Sequence, residues 1–207
     1  MSDAAAWDER YGTAEFVWTT DPNRFLPPEV EALEPGRALD LACGEGRNAV
    51  WLASEGWDTT GVDFSGAGLE KAARLAEANH ASVTWIQGDA TRWTSDHGYD
   101  LVVAFYLHLP EPQRRKAFAV AARALAPGGT LLIVGHDLAN LTAGVGGPQN
   151  PSVLYTPDDV RRDLGLAGVS ELVIERAERV DRPVVTEAGE RMAIDCLVRA
   201  HRAAPAV

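Results

Sequence analysis

The sequence predicts an α/β fold, a Rossmann-like doubly wound sheet of seven strands, mostly parallel with the last strand antiparallel. Short apolar runs alternate with stretches of helical periodicity, a pattern typical of βαβ units and a parallel sheet. One run, 99–106, has an uninterrupted apolar centre, as expected of a strand covered on both faces. Because the 207 residues show no repeats and no domain boundary, we expect a single domain over 1–207.

The predicted elements follow one another along the chain. Helices at 5–12 and 27–34 flank a loop that holds Phe16 and Trp18. Strands are predicted at 37–42, 57–63, 83–89, 99–106 and 130–136, with helices at 47–55, 68–80 and 112–125 between them. A helix at 157–165 and strands near 169–180 and 192–200 follow a loop rich in glycine and proline, 137–156. That loop is too long for a mere connection, so it is either functional or mobile.

Composition restricts the class of partner. The net charge is −11, whereas binding to nucleic acids and to anionic membranes favours a basic surface, so neither partner is expected. We expect a small-molecule partner instead. The chain is expected to be a monomer or a homodimer. No stretch of 18 apolar residues occurs and "MSDAAAWDER" does not resemble a signal peptide, so a cytoplasmic address is expected. Cys43 and Cys196 have neither metal-ligand nor disulfide spacing, and no metal is expected. Abundant alanine and only two lysines, Lys71 and Lys116, suggest a bacterial, high-GC genome.

The segment "ALDLACGEGRNAVWLA", 38–53, predicts a ligand-binding loop. An apolar strand ends in an acid, and two glycines lead into a helix. The spacing Gly44-x-Gly46-x-x-Ala49 lets the backbone approach a ligand at a helix N-terminus. It suits a nicotinamide dinucleotide as well as S-adenosylmethionine (SAM), so this loop alone leaves both cofactors open.

Acidic residues at three successive strand ends favour SAM. Asp40 would oppose a pyrophosphate, whereas it could pair with the ammonium group of SAM. Asp63, in "GVDFS", can accept hydrogen bonds from ribose hydroxyls in either cofactor, and Phe64 offers a flat face to adenine. Asp89, in "QGDA", is placed to accept from the adenine amino group.

This order of acids, together with "PGG" before the fifth strand, resembles the class I SAM-dependent methyltransferases over 37–136. "WDERY", "CGEGRNAVWLA" and "GVDFS" resemble the small-molecule enzymes of the tellurite-resistance and thiopurine type. The resemblance implies an N-terminal helical lid (1–35), a SAM-binding core (36–136), and a substrate loop with terminal strands (137–207). Ala42 departs from the family, which usually has glycine there. The cofactor-binding residues implied are Tyr11, Trp18, Asp40, Ala42, Cys43, Gly44, Gly46, Arg47, Asp63, Phe64, Asp89, Ala90 and Phe105.

The resemblance implies methyl transfer to oxygen, nitrogen or sulfur of a small molecule by direct displacement. Positioning supplies most of such catalysis, so a general base is optional. The fourth strand ends in "FYLHLP", which makes Tyr106 and His108 the catalytic candidates, with His108 the better base unless it only packs before Pro110. Substrate contacts are expected from His136, Asp137, Arg182 and Arg191. A nicotinamide-dependent oxidoreductase and a non-catalytic SAM-binding protein remain the alternatives.

Overall fold

A seven-stranded mixed sheet forms the centre of the computed structural model, which describes residues 4–12, 16–187 and 189–204. Its strands are β1 (Arg37–Leu41), β2 (Asp58–Asp63), β3 (Val83–Gln87), β4 (Tyr99–Phe105), β5 (Leu125–His136), β6 (Leu172–Thr186) and β7 (Gly189–Arg202). The spatial order is β3-β2-β1-β4-β5-β7-β6, and β7 runs antiparallel to both of its neighbours. The predicted fold class is therefore confirmed.

Helices cover both faces of this sheet. They are α1 (Ala4–Tyr11), α2 (Leu26–Val30), α3 (Arg47–Ser54), α4 (Gly66–Ala78), α5 (Glu111–Arg123), α6 (Asn140–Ala143) and α7 (Pro157–Gly165). Because successive side chains of a strand point to opposite faces, β1 and β4 contribute to two cores. Ala38 and Val103 pack in one core with α2 and α3, whereas Leu39 and Val102 pack in the other with α5 and α7.

The fifth strand begins earlier than predicted. Tyr99 pairs with Leu125 and Leu101 pairs with Thr130, so residues 126–129 form a bulge within β5. The sequence "APGG" therefore has a second role besides ending the preceding helix. Its four residues form a bulge, after which β5 resumes its pairing with β4. The prediction of a strand limited to 130–136 was wrong for this reason.

The last two strands form a long hairpin instead of being joined by a loop over 181–191. Their pairing continues to Thr186 and Gly189. Pairing with β5 stops at His136 and Asp195, so residues 189–194 of β7 extend past the carboxyl edge of the sheet. At ~3.4 Å per residue, the hairpin projects roughly 20 Å. The strands of this stretch could not be predicted from its polar sequence. They are stabilised by pairing with each other and not by burial of apolar side chains.

The long loop 137–156 is partly ordered by α6 and by a 3₁₀ turn at Pro151–Val153. Asn140 is buried, and its Oδ1 accepts a hydrogen bond from the Ile194 amide at 2.7 Å. Its Nδ2 donates to the Gly146 carbonyl at 2.9 Å, so one amide side chain fastens the loop to β7. In the part of the chain that the structure describes, no helix is long and apolar enough to cross a bilayer.

Candidate functional site

The glycine loop between β1 and α3 needs unusual backbone geometry. Gly44 and Gly46 have φ of 55° and 81°, in the left-handed region that favours glycine. A Cβ on Gly46 would lie 2.6 Å from Ala72 and 2.7 Å from the Trp85 ring, so a side chain does not fit. Ala42 has φ of 65°, which explains why the family usually has glycine there. The loop thus turns tightly into the N-terminus of α3, an end of a helix that favours an anionic or polar ligand.

Asp40 is buried beside this loop, with 1% of its surface exposed. Among the described residues, its Oδ2 has no hydrogen-bond partner. Burial raises the pKa of Asp40 to about 7, and the charge of Asp63 adds to the shift while the Ala49 amide opposes it. A buried carboxylate oxygen without a partner is costly, so its presence indicates a cationic or donor ligand.

Asp63, at the end of β2, is hydrogen-bonded to the glycine loop. Its two oxygens accept from the amides of Gly44 at 2.8 Å and Ser65 at 2.9 Å. Burial raises the pKa of Asp63, and these two amides oppose that rise. The half-buried Phe64 follows it directly. The carboxylate is therefore already fixed in position at the edge of the loop.

Asp89 follows β3 and is more accessible, with a side chain 39% exposed. Its Oδ1 accepts from the amide of Thr91 at 2.9 Å and from the hydroxyl of Thr91 at 2.8 Å. Its Oδ2 lies 3.3 Å from Nε of Arg92. Ala90 beside it is buried. The predicted acids thus lie at or near the carboxyl ends of three neighbouring strands, the edge where open α/β sheets bind ligands.

The N-terminal segment lies against the glycine loop. Tyr11 is buried, and a Cβ on Gly44 would lie 2.8 Å from its hydroxyl. A Cβ on Gly68 would lie 3.1 Å from the Tyr11 ring. Trp18, by contrast, is 44% exposed and its ring packs under the Arg10 guanidinium at 4.8 Å. The structure therefore brings Tyr11 to the predicted cofactor loop, and the partly exposed Trp18 side chain is hydrogen-bonded to Tyr11.

Glu45, between the two glycines, binds the N-terminal segment that contains Val17 and Trp18. The sequence analysis did not predict this role. Its buried carboxylate accepts hydrogen bonds from the amides of Val17 at 3.0 Å and Trp18 at 3.1 Å. Nζ of Lys71, on α4, lies 2.9 Å from the same carboxylate. The acid between glycines and the single lysine of the next helix are visible in the sequence. Nothing there says that they meet in the core.

Arg47, at the start of α3, faces inward. Its Nη1 donates to Oγ1 of Thr19 at 3.1 Å, which adds a second tie to the N-terminal segment. Burial lowers the pKa of Arg47, while Tyr106 and Asp40 oppose that shift. The contact between Arg47 and the cofactor stays a prediction.

Three other residues were predicted to contact a ligand: Cys43 and Phe105 the cofactor, and Arg191 the substrate. Burial raises the pKa of the Cys43 thiol well above its usual range, so the thiol stays neutral. The Phe105 side chain packs in the core with Leu26, so it does not face the loop. Arg191 is exposed on the projecting hairpin, opposite Val184.

A cluster of polar side chains lies at the carboxyl ends of β4 and β5. We call it the acceptor-edge cluster, and its members are Tyr106, His108, His136, Arg182 and Asp195. Tyr106 has φ of 54°, a rare conformation for a bulky residue and one that concentrates at functional sites. Its hydroxyl donates to Oδ2 of Asp195 at 2.7 Å, and Nε of Arg182 donates to the same oxygen at 2.7 Å.

The predicted base, His108, is already engaged. Its Nε2 accepts a hydrogen bond from the backbone amide of His136 at 3.2 Å, and the two rings stack at 5.2 Å. Burial, reinforced by His136, lowers the pKa of His108 to about 3. In this geometry the Nε2 lone pair is not available to a substrate proton. The expected substrate contact Asp137 is engaged through one oxygen only. Its Oδ1 accepts from the Arg179 guanidinium at 2.9 Å, whereas its buried Oδ2 has no partner among the described residues.

Asp195 is the member of the cluster that sequence reasoning missed. It is fully buried in β7, and its Oδ1 lies 2.9 Å from Nδ1 of His136. Burial alone would raise the pKa of Asp195, but His136 and Arg182 together hold it below its ordinary value. The available signal was a lone acid within the apolar run "AIDCLV". Within the described ranges, no group of three or more His, Cys, Asp or Glu side chains is arranged to hold a metal ion.

Comparison with known proteins finds methyltransferases that are similar to this chain. A family model described as a methyltransferase domain matches residues 38–129. The chain is 29% identical to thiocyanate methyltransferase 1 of Brassica oleracea, over 79% of this chain and 70% of that protein. It is 31% identical to a ribosomal RNA small subunit methyltransferase C of Alcanivorax borkumensis, but over only 50% of this chain and 33% of that protein.

Among solved structures, TehB of Haemophilus influenzae superposes with a TM-score of 0.70 at 17% identity. The match covers 95% of this chain and 65% of that one. At this identity the likeness shows the fold alone.

Proposed function

We propose that this chain, which belongs to the class I SAM-dependent methyltransferases, methylates a small molecule at oxygen, nitrogen or sulfur by direct displacement. SAM supplies a methyl carbon that forms its new bond with a lone pair of the acceptor, while the carbon–sulfur electron pair stays on sulfur. The net charge of −11 supports a small acceptor, since RNA binding favours a basic surface. The thiocyanate enzyme's name also supports a small acceptor.

The observation that carries this proposal is the unpartnered Oδ2 of Asp40 next to the glycine loop. An ammonium group would satisfy that oxygen and neutralise the buried charge, which a pyrophosphate could not do. On the same reasoning Asp63 would accept from the ribose hydroxyls and Asp89 from the adenine amino group. The amide of Gly44, which already holds Asp63, would keep this carboxylate in place for the cofactor.

Each of the three parts of the chain would then have its own role in binding the cofactor or the acceptor. Residues 1–35 would exclude water over the cofactor, since Tyr11 already lies on the glycine loop. Residues 36–136 would hold SAM. Residues 137–207 would contribute Arg182 to the acceptor edge, and Arg191 only if the hairpin bends toward the site. We expect a bacterial, cytoplasmic enzyme.

Calorimetry tests the cofactor assignment directly. SAM and S-adenosylhomocysteine should bind with micromolar affinity, and NADH and NADPH, the cofactors of the competing oxidoreductase hypothesis, should not bind. Asp63→Ala should lose SAM affinity. The matched control is Asp58→Ala, which removes an exposed acid from the other end of the same strand and should leave affinity unchanged. Wild-type affinity in Asp63→Ala would refute the ribose assignment.

A further inference from the structure

We infer that a second cleft, on the face of the sheet that α5 covers, binds a small organic polyanion. We call it the cationic cleft. Its volume is about 370 Å³, within the usual range of small-molecule pockets. It extends to Ala124, whose carbonyl accepts from the amide of Tyr99, the first residue of β4. The cleft therefore reaches toward the amino edge of the sheet, opposite to the edge that holds Asp40 and Asp63.

The cleft exists because the connection between β3 and β4 contains no helix. Parallel strands are usually joined through a helix, but residues 88–98, all of which the structure describes, form only turns and irregular backbone. The half-buried Trp93 of this connection lines one side. The residues of α5 that line the other side include three that are small, buried and on one helix face: Ala119, Val120 and Ala124. These small side chains leave a hollow with an apolar floor.

The charge of the lining is opposite to that of the chain. Of the twelve described residues that line the cleft, four are basic and none is acidic. The four basic residues are Arg92, Arg115, Lys116 and Arg123. The chain as a whole has 30 acidic residues and only 19 lysines and arginines. Cations that surround a hollow with apolar walls attract an anionic ligand more strongly than the same charges spread over a surface.

Two of these cations are available to a ligand. Lys116 is exposed and forms no ion pair or hydrogen bond within the described part of the chain. The Arg92 side chain is 83% exposed, and its Nε lies 3.3 Å from Oδ2 of Asp89. Arg115 and Arg123 are held by hydrogen bonds to neighbouring residues, so they add fixed positive charge. A ligand with several anionic groups would relieve the repulsion among the four cations.

The ligand that fits this arrangement is compact. Acidic residues flank the cations outside the cleft, because Asp89 contacts Arg92, and Glu111 and Asp163 contact Arg115. A long polyanion would meet these carboxylates and the net charge of −11. A small molecule with anionic groups around an apolar body would instead contact the cations and the apolar floor together.

Benzene-1,3,5-tricarboxylate is a suitable probe, since its carboxylates surround an apolar ring. In a nitrogen-15 NMR titration, the largest shifts should fall on the amides of 91–95 and of α5, and the affinity should fall as salt is added. Benzene-1,3,5-trimethanol, the same ring without charge, should not bind. The inference would be overturned by equal binding of the two probes, or by largest shifts at the glycine loop, 43–47.

Substitutions of Lys116 test the role of charge, because its side chain is exposed and a change there should leave the fold intact. Lys116→Gln should weaken binding of the tricarboxylate about two- to fivefold, the usual effect of losing one exposed ion pair, and Lys116→Glu should weaken it further. The matched control is Arg74→Gln, which removes an exposed cation from α4 and should leave the affinity unchanged. Wild-type affinity in Lys116→Glu would refute the inference. Tighter binding of a short polyglutamate peptide than of the tricarboxylate would also refute it, and would assign the cleft to an acidic protein segment.

Discussion

Replacing Asp40 by asparagine should stabilise the protein while it removes tight SAM binding. The native carboxylate is buried and one of its oxygens has no partner among the described residues. Ionising it therefore costs folding free energy that a neutral amide does not. The same charge is the proposed partner of the SAM ammonium, so the gain in stability comes with a loss of function.

The magnitude follows from the two pKa values. Asp40 has an ordinary value of 3.8 and a value of about 7 in the folded chain. Because the folded state holds the proton more tightly, stability falls as the pH rises between these values. The cost of the carboxylate grows from about 2 kcal/mol at pH 5 to about 4 kcal/mol at pH 8. The free-energy cost of burying the asparagine amide does not depend on pH, because the amide does not titrate. The advantage of Asp40→Asn should therefore grow by about 2 to 3 kcal/mol between them.

Urea unfolding of the ligand-free proteins at pH 5 and pH 8, followed by tryptophan fluorescence, measures this difference. Asp58→Asn, at an exposed position of β2, is the control and should show no such growth. Calorimetry at pH 8 should show SAM affinity lost in Asp40→Asn and retained in the control. A stability difference that is the same at both pH values would refute the buried charge. Unchanged SAM affinity would refute the ammonium contact.

Three further substitutions test the loops around the site. Ala42→Gly should raise the unfolding free energy by up to about 1 kcal/mol in urea melts, because φ is 65° there, and a loss would contradict the strain. Glu45→Gln should cost roughly 1.5–3 kcal/mol and speed proteolysis within the first 20 residues, because it removes the charged acceptor of the Val17 and Trp18 amides; unchanged digestion would contradict the tie. Gly147→Ala should destabilise more than Gly146→Ala in thermal melts. Both have positive φ, but only the Gly147 Cβ would meet His136, and equal losses would contradict that contact.

The sheet, and the placement of three acids near one of its edges, could be predicted because local patterns encode them. Apolar runs mark the strands, and Asp40, Asp63 and Asp89 lie at or near the carboxyl ends of three of them. The topology of a parallel sheet then places their ends at one edge. The predicted helix at 157–165 matches α7 residue for residue, since Thr156 and Asp159 form a capping box that the sequence displays.

The acceptor half could not be predicted, because its contacts join residues far apart in the chain. Tyr106 and Asp195 are 89 residues apart in sequence. The hydrogen bond that engages Nε2 of His108 comes from a backbone amide, which leaves no trace in residue type. The hairpin over 181–191 could not be predicted for a related reason. Its strands form by pairing with each other, and their residues show no apolar pattern that marks a strand.

The position of Asp195 in β7 also bears on how the enzyme matures during synthesis. The strands that hold the cofactor residues, β1 to β4, leave the ribosome long before β7, and they pair with one another in parallel. The acceptor-edge cluster forms only when β7 inserts between β5 and β6 and delivers its carboxylate to Tyr106 and His136. The acceptor-edge cluster is therefore the last part of the candidate site to assemble as the chain is synthesised.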